Sequence, residues 1–92
     1  MIESFRNKAL RRFMEQGDFS KLSVPNVARI NMILALLDTS RSPRDMDVPG
    51  LRFHSLSGRD KGRYAVDASR NWRITFGWDG VDATEVDLED YH

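Results

Sequence analysis

Two histidines, a strand-borne arginine and a closing Asp-Tyr-His carry most of the chemistry that this 92-residue sequence offers. Imidazole has an ordinary pKa of roughly 6.5, so His54 and His92 are the side chains suited to take and give a proton near neutrality. Facing one phosphodiester, the pair would deprotonate a 2′-hydroxyl and protonate the departing 5′-oxygen. Arg73 adds a planar fork whose N–H groups match two phosphate oxygens. Tyr91 offers a ring on which a base can stack, a contact worth roughly 1–3 kcal/mol. Asp90 can orient an imidazole or a guanidinium, as a carboxylate does when it fixes a tautomer. Each residue also has an ordinary reading. A lone strand histidine serves as a surface or edge residue, Arg73 pairs with an acid on the next strand, and Tyr91 packs.

Other chemistries fit poorly. The glycines are scattered at turns, so no phosphate-cradling loop is present, and there is no nucleophile elbow. Two histidines 38 positions apart among scattered carboxylates make a poor metal constellation, and neither metal nor cofactor is expected. The absence of cysteine removes disulfides and thiolate ligands.

These side chains need elements to hold them, and the hydrophobic period changes near residue 45. Before it the period is helical. "NKALRRFMEQG" sets Leu10, Phe13 and Met14 on one stripe, with Gly17 placed to close the helix. "SVPNVARINMILALLDTS" predicts a second helix, with Ser23 as N-cap, Pro25 in the first turn, and Val27, Ile30, Ile33, Leu34 and Leu37 facing a core. Residues 1–5 suggest a short leading strand, and "SRSPRDMDVPG" reads as a connector.

After it the period is two. "LRFHSL", "RYAVDA" and "NWRITFGW" alternate, and Asp79–Gly80 predicts a two-residue hairpin before "VDATEVDL". "SGRDKG" and "ASRN" link the earlier strands. With Trp72, Ile74 and Phe76 facing the helices, Arg73 faces the uncovered side, and His54 takes the side opposite Phe53. The expected fold is α+β: two N-terminal helices packed on one face of a mainly antiparallel sheet of four to five strands.

A chain of this length makes one domain, spanning residues 1–92. Hydrophobic content of 40% and charged content of 30% fit a compact soluble protein. The run "MILALL" is too short to span a bilayer, and "MIESFRNKAL" lacks the core of a signal peptide, so the cytoplasm is the expected location, with no membrane contact. Net zero charge conceals an asymmetry. All fourteen Lys and Arg lie within residues 1–73 beside eight acids, and six acids follow, so the two parts carry +6 and −6. That division suggests one surface for an anion and another for something different.

"MIESF", "FHSLSGRDKGRYAV", "NWRITF" and the closing "DYH" together resemble the HigB toxins of the RelE/ParE superfamily of bacterial type II toxin–antitoxin systems. The resemblance spans nearly the whole chain and is least specific in its helical half. It implies a toxin that binds the ribosomal A site of the 30S subunit and cuts messenger RNA during translation. It also implies a helix-turn-helix antitoxin partner, through which alone operator DNA is contacted. Carried over by position, the catalytic set falls on His54, Arg73, Asp90, Tyr91 and His92, which makes the terminus a working strand end. Arg59, Lys61 and Asn71 are candidate RNA contacts. One departure stands out: the family often has Lys three positions after the histidine, where this chain has Ser57. Arg59 or Lys61 would then supply the missing cation. The rival within the same superfamily is a ParE-like binder that poisons DNA gyrase without catalysis.

Overall fold

A computed structural model describes residues 1–24 and 26–90. Helix α1 (Lys8–Gln16) opens on Asn7, whose side chain accepts the Leu10 amide at 2.9 Å. It closes on Gly17 at φ +71°, whose N–H returns to the Phe13 carbonyl, as the sequence predicts. Of its expected stripe Leu10 is buried and Phe13 half-buried, while Met14 is exposed.

Helix α2 (Val27–Thr39) starts later than expected. Asn26 caps it, accepting the Arg29 amide at 3.0 Å, so Ser23 is not the cap. The physical reason is positional: the Asn26 amide oxygen reaches the third helical N–H, which Ser23 precedes by too many residues. Pro25 lies outside the described residues. Ile30, Ile33, Leu34 and Leu37 are buried as the period requires.

The sheet has four strands in the order β1 (His54–Ser55), β2 (Tyr64–Asp67), β3 (Trp72–Trp78) and β4 (Ala83–Asp90), each antiparallel to its neighbour. The leading segment adds isolated parallel bridges to β4, Ile2 to Ala83 and Phe5 to Val86, rather than a full strand. Leu10, Ile30, Ile33, Leu34 and Leu37 of the helices pack in one core with Val66, Ile74, Phe76 and Val86 of the sheet. This is the two-layer α+β arrangement expected.

The β3–β4 connection differs from the two-residue turn. Trp78 pairs with Ala83, leaving a loop over residues 79–82 in which only Gly80, at φ +101°, is left-handed. The cause is the Asp79 carboxylate, which accepts the Val81 and Asp82 amides at 2.9 and 2.7 Å and so builds a wider loop. Below that loop β4 carries a bulge. Thr75 pairs with Asp87 and Gly77 with Thr84, so β4 spends one residue more than β3. Glu85 takes the strain at φ +49°.

Candidate active site

Strand register sorts the site residues by face, because directly paired residues project the same way. His54 pairs with Ala65 and Ala65 with Thr75, while Asp67 pairs with Arg73 and Arg73 with Glu89. All six therefore share the face opposite the helices, as alternation predicts for His54 and Arg73. Two strand spacings and one pair offset put the His54 and Arg73 Cα atoms on the order of 12 Å apart.

The connector before β1 is held at several points, and this places His54. Arg29 of α2 donates to the Gly50 carbonyl at 2.6 Å and to the Asp67 carbonyl at 3.0 Å. Leu51 is buried, and its carbonyl accepts the Asp67 amide at 2.8 Å. Arg52 then adopts φ +52°, a conformation that costs a non-glycine residue roughly 1–3 kcal/mol, and its guanidinium lies 3.6 Å from the Asp67 carboxylate. The Arg52 carbonyl lies 2.9 Å from His54 Nδ1. A carbonyl only accepts, so Nδ1 carries a proton in that bond. In neutral His54 the lone pair is therefore on Nε2, which suits it to act as a base.

Arg73 is mostly enclosed, and its guanidinium lies 3.7 Å from the Glu89 carboxylate on the adjacent strand. The ordinary reading of this arginine, pairing with a neighbouring acid, thus holds in the absence of RNA. Glu89 in turn accepts the Thr75 hydroxyl at 2.5 Å, and Thr75 accepts from Arg63 Nη2 at 3.1 Å. Arg63 also donates to the Glu85 carbonyl at 2.7 Å, the carbonyl that the bulge turns toward it. Its pKa is lowered, first by burial and then by the Arg6 guanidinium. A polar chain, Arg63–Thr75–Glu89–Arg73, therefore crosses the middle of the open face.

No spacing along the sequence encodes that chain. Arg63 lies inside the stretch "FHSLSGRDKGRYAV", but nothing in that stretch singles it out. The nearest signal is Gly77: a Cβ there would sit 2.8 Å from Thr84 Oγ1 and 3.6 Å from Arg63 Nη1, so the glycine makes room for crossing side chains.

Other expected residues are dispersed. Arg59 and Lys61 lie in and just after the short 3-10 turn Gly58–Asp60, at the sheet end shared by the β1–β2 and β3–β4 connections. Asn71 is exposed in the β2–β3 turn at the opposite end, near Asp90. Asp90 pairs with Trp72, so its register has the parity of Trp72 and Leu88 rather than that of Arg73. Tyr91 and His92 lie outside the described residues. The charge division along the chain also folds together: Arg6 meets Glu85 at 3.6 Å, Arg73 meets Glu89, and the N-terminal amine meets Asp82 at 3.2 Å. Three of the six acids after residue 73 thus sit beside basic groups from earlier in the chain.

Among the described residues, the one cluster with metal-ligand geometry is Glu3, Asp79 and Asp82, whose carboxylate oxygens approach within 4.8 Å. It sits at the β3–β4 loop and includes no histidine. Hydrogen bonding to Asp79 raises the Glu3 pKa, while the Asp82 amide chiefly lowers that of Asp79.

Helices on one side of an antiparallel sheet, with a polar histidine- and arginine-bearing face on the other, form a RelE-like toxin architecture. Residues 3–92 match the family described as RelE-like toxin of type II toxin–antitoxin system HigB, and the chain belongs to that family. It is 35% identical over 92 residues, the whole of both chains, to a protein of Proteus vulgaris named endoribonuclease HigB. Over 84 residues, 88% of each chain, it is 30% identical to a Vibrio cholerae protein named toxin HigB-1. Membership of a type II system implies an antitoxin partner. Among the described residues, no helix is long and apolar enough to cross a membrane.

Proposed function

We propose that this toxin is a ribosome-dependent endoribonuclease that cuts messenger RNA by internal attack of a 2′-oxygen on the adjacent phosphorus. The reaction breaks the bond to the 5′-oxygen, leaving a cyclic phosphate or its opened product and a 5′-hydroxyl. The observation that carries this reading is the His54 imidazole, whose Nδ1 bond to the Arg52 carbonyl leaves Nε2 as the basic nitrogen in the neutral ring, on the face shared with Arg73. Nε2 takes the 2′-hydroxyl proton or relays one to the leaving oxygen. Arg73 exchanges its loose contact with Glu89 for the nonbridging phosphate oxygens, where negative charge grows. His92 is the partner acid–base group, Tyr91 stacks on a base, and Asp90 orients the terminal imidazole. The name of the Proteus vulgaris relative supports this chemistry.

The cation expected to replace the family lysine at Ser57 is better assigned to Arg63 than to Arg59 or Lys61. Arg63 lies across the open face, whereas the other two belong to the connection at its end. Asn71 is kept as an RNA contact at the end where Asp90 lies. The ribosomal A site supplies substrate alignment, the term that such a sparse site lacks by itself. A helix-turn-helix antitoxin holds the toxin inactive and contacts operator DNA, and the cytoplasm is where both partners meet.

The test is messenger cleavage in a translating extract. His54→Ala is expected to slow cleavage by about 10²–10⁴-fold, the usual contribution of a positioned acid–base group. Undiminished cleavage would remove His54 from the mechanism. Inhibition of gyrase supercoiling with intact messenger would favour the ParE-like alternative instead.

A further inference from the structure

A groove of about 730 Å³ opens beside His54, between the 3-10 turn Pro43–Met46 and the edge strand β1. Arg44 and Asp47 line one side of it, and Phe53, His54, Ser55 and Tyr64 line the other. The size falls in the range of clefts that hold small organic ligands.

Its wall is the outer end of an aromatic ladder. Phe76 is fully buried on β3. Tyr64 lies 5.7 Å from it on β2, and Phe53 lies 5.7 Å from Tyr64 with the two rings 11° from parallel. Tyr64 and Phe53 are each half-buried. The ladder thus steps from the core to the sheet edge and ends at the groove. A fixed, half-exposed ring pair is a stacking surface whose ordering cost has already been met in folding. The groove rim adds a guanidinium, a carboxylate and a hydroxyl, which are groups that recognise a base edge or a backbone phosphate.

We infer that this groove is a nucleobase subsite, which stacks one base of the messenger next to the scissile phosphate on the Phe53–Tyr64 ring pair. The inference rests on the nuclease reading and adds to it a source of base preference. His54 belongs both to the groove and to the open face, so a base seated in the groove lies within a nucleotide's reach of that imidazole. Arg44 pairs with the phosphate of the seated nucleotide, and Asp47 accepts from its exocyclic amine. An all-apolar groove would suit a peptide side chain equally well. The charged rim on one side and His54 on the other favour RNA.

The experiment maps the 5′ ends of cleaved messenger in a translating extract and takes the ratio of cutting at the best and worst base for each position around the cut. Phe53→Leu keeps apolar volume and loses the π face, and Asp47→Ala removes the acceptor for the exocyclic amine at an exposed residue that follows the 3-10 turn. Each is expected to lower the ratio at one fixed position by at least about fivefold, the lower end of one stacking contact. Arg11→Gln on the exposed side of α1 leaves the ratio unchanged. If Phe53→Leu does not fold, Asp47→Ala decides alone. Cutting by both variants with the wild-type base preference would overturn the subsite and leave the nuclease reading intact. Weakened antitoxin binding by Phe53→Leu, with preference unchanged, would also overturn it, by making the groove a protein contact. A wild-type protein that cuts no messenger would remove the nuclease reading and the subsite with it.

Discussion

Strand β3 is buried on both sides by different means. Toward the helices, Ile74 and Phe76 are fully enclosed by apolar side chains. Toward the other face, Thr75 is equally inaccessible, yet what surrounds it is Arg63, Glu89 and a crossing of hydrogen bonds. The first kind of burial derives its stability from area removed from water, at roughly 25 cal/mol per Å². The second yields little net stability, because each hydrogen bond replaces one to water. It gives fixed direction instead. One face accounts for why the chain folds, and the other for where its polar groups point.

The largest effect should come from breaking the apolar face. Phe76→Ala is expected to cost about 3–5 kcal/mol, enough to bring a domain of this size near unfolding, as a urea melt would reveal. Arg73→Ala should separate the two faces most cleanly. Messenger cleavage should fall about 10²–10³-fold, the typical loss of one transition-state donor, while the melting curve moves little. A large loss of stability with activity retained would invert the comparison. Gly77→Ala is intermediate, with an expected cost of about 1–3 kcal/mol as the new methyl group displaces the Thr84 hydroxyl. The smallest effect is expected from Asp79→Ala in the β3–β4 loop, seen as a modest drop in Tm at neutral pH. Its carboxyl pKa is lowered by folding. That contribution is therefore present above the ordinary carboxyl value and is lost as pH falls through the lowered one. Wild type and variant should converge in acid.

Much of this plan was legible in the sequence. The 3.6-residue period gave both helices, and the Trp72–Trp78 alternation gave the orientation of Arg73 correctly. The errors lie where a side chain overrides a local rule. Asn26 took the cap that Ser23 was expected to hold, and the Asp79 carboxylate widened a turn that Asp-Gly alone would have made tight. The bulge at Glu85 is harder to foresee. Counting by twos from the buried Ala83 would turn Asp87 and Glu89 toward the helices, and only the extra residue returns them to the open face. Arg63 was unreadable for a related reason. Its role depends on three strands meeting in register, and no spacing along the chain encodes that. The charge division along the chain also suggested one surface for an anion and another for something different, but the parallel bridges of the leading segment and the β3–β4 pairing set basic groups beside the late acids.

Arg52 brings a cost that stability engineering would encounter. Its left-handed backbone is unfavourable for a residue with a side chain, and the carbonyl it presents is the one that fixes the His54 proton. Glycine at this position would relax the chain, yet it would also release that carbonyl and give up the guanidinium beside Asp67. A hardier toxin obtained in this way would be a blunter one.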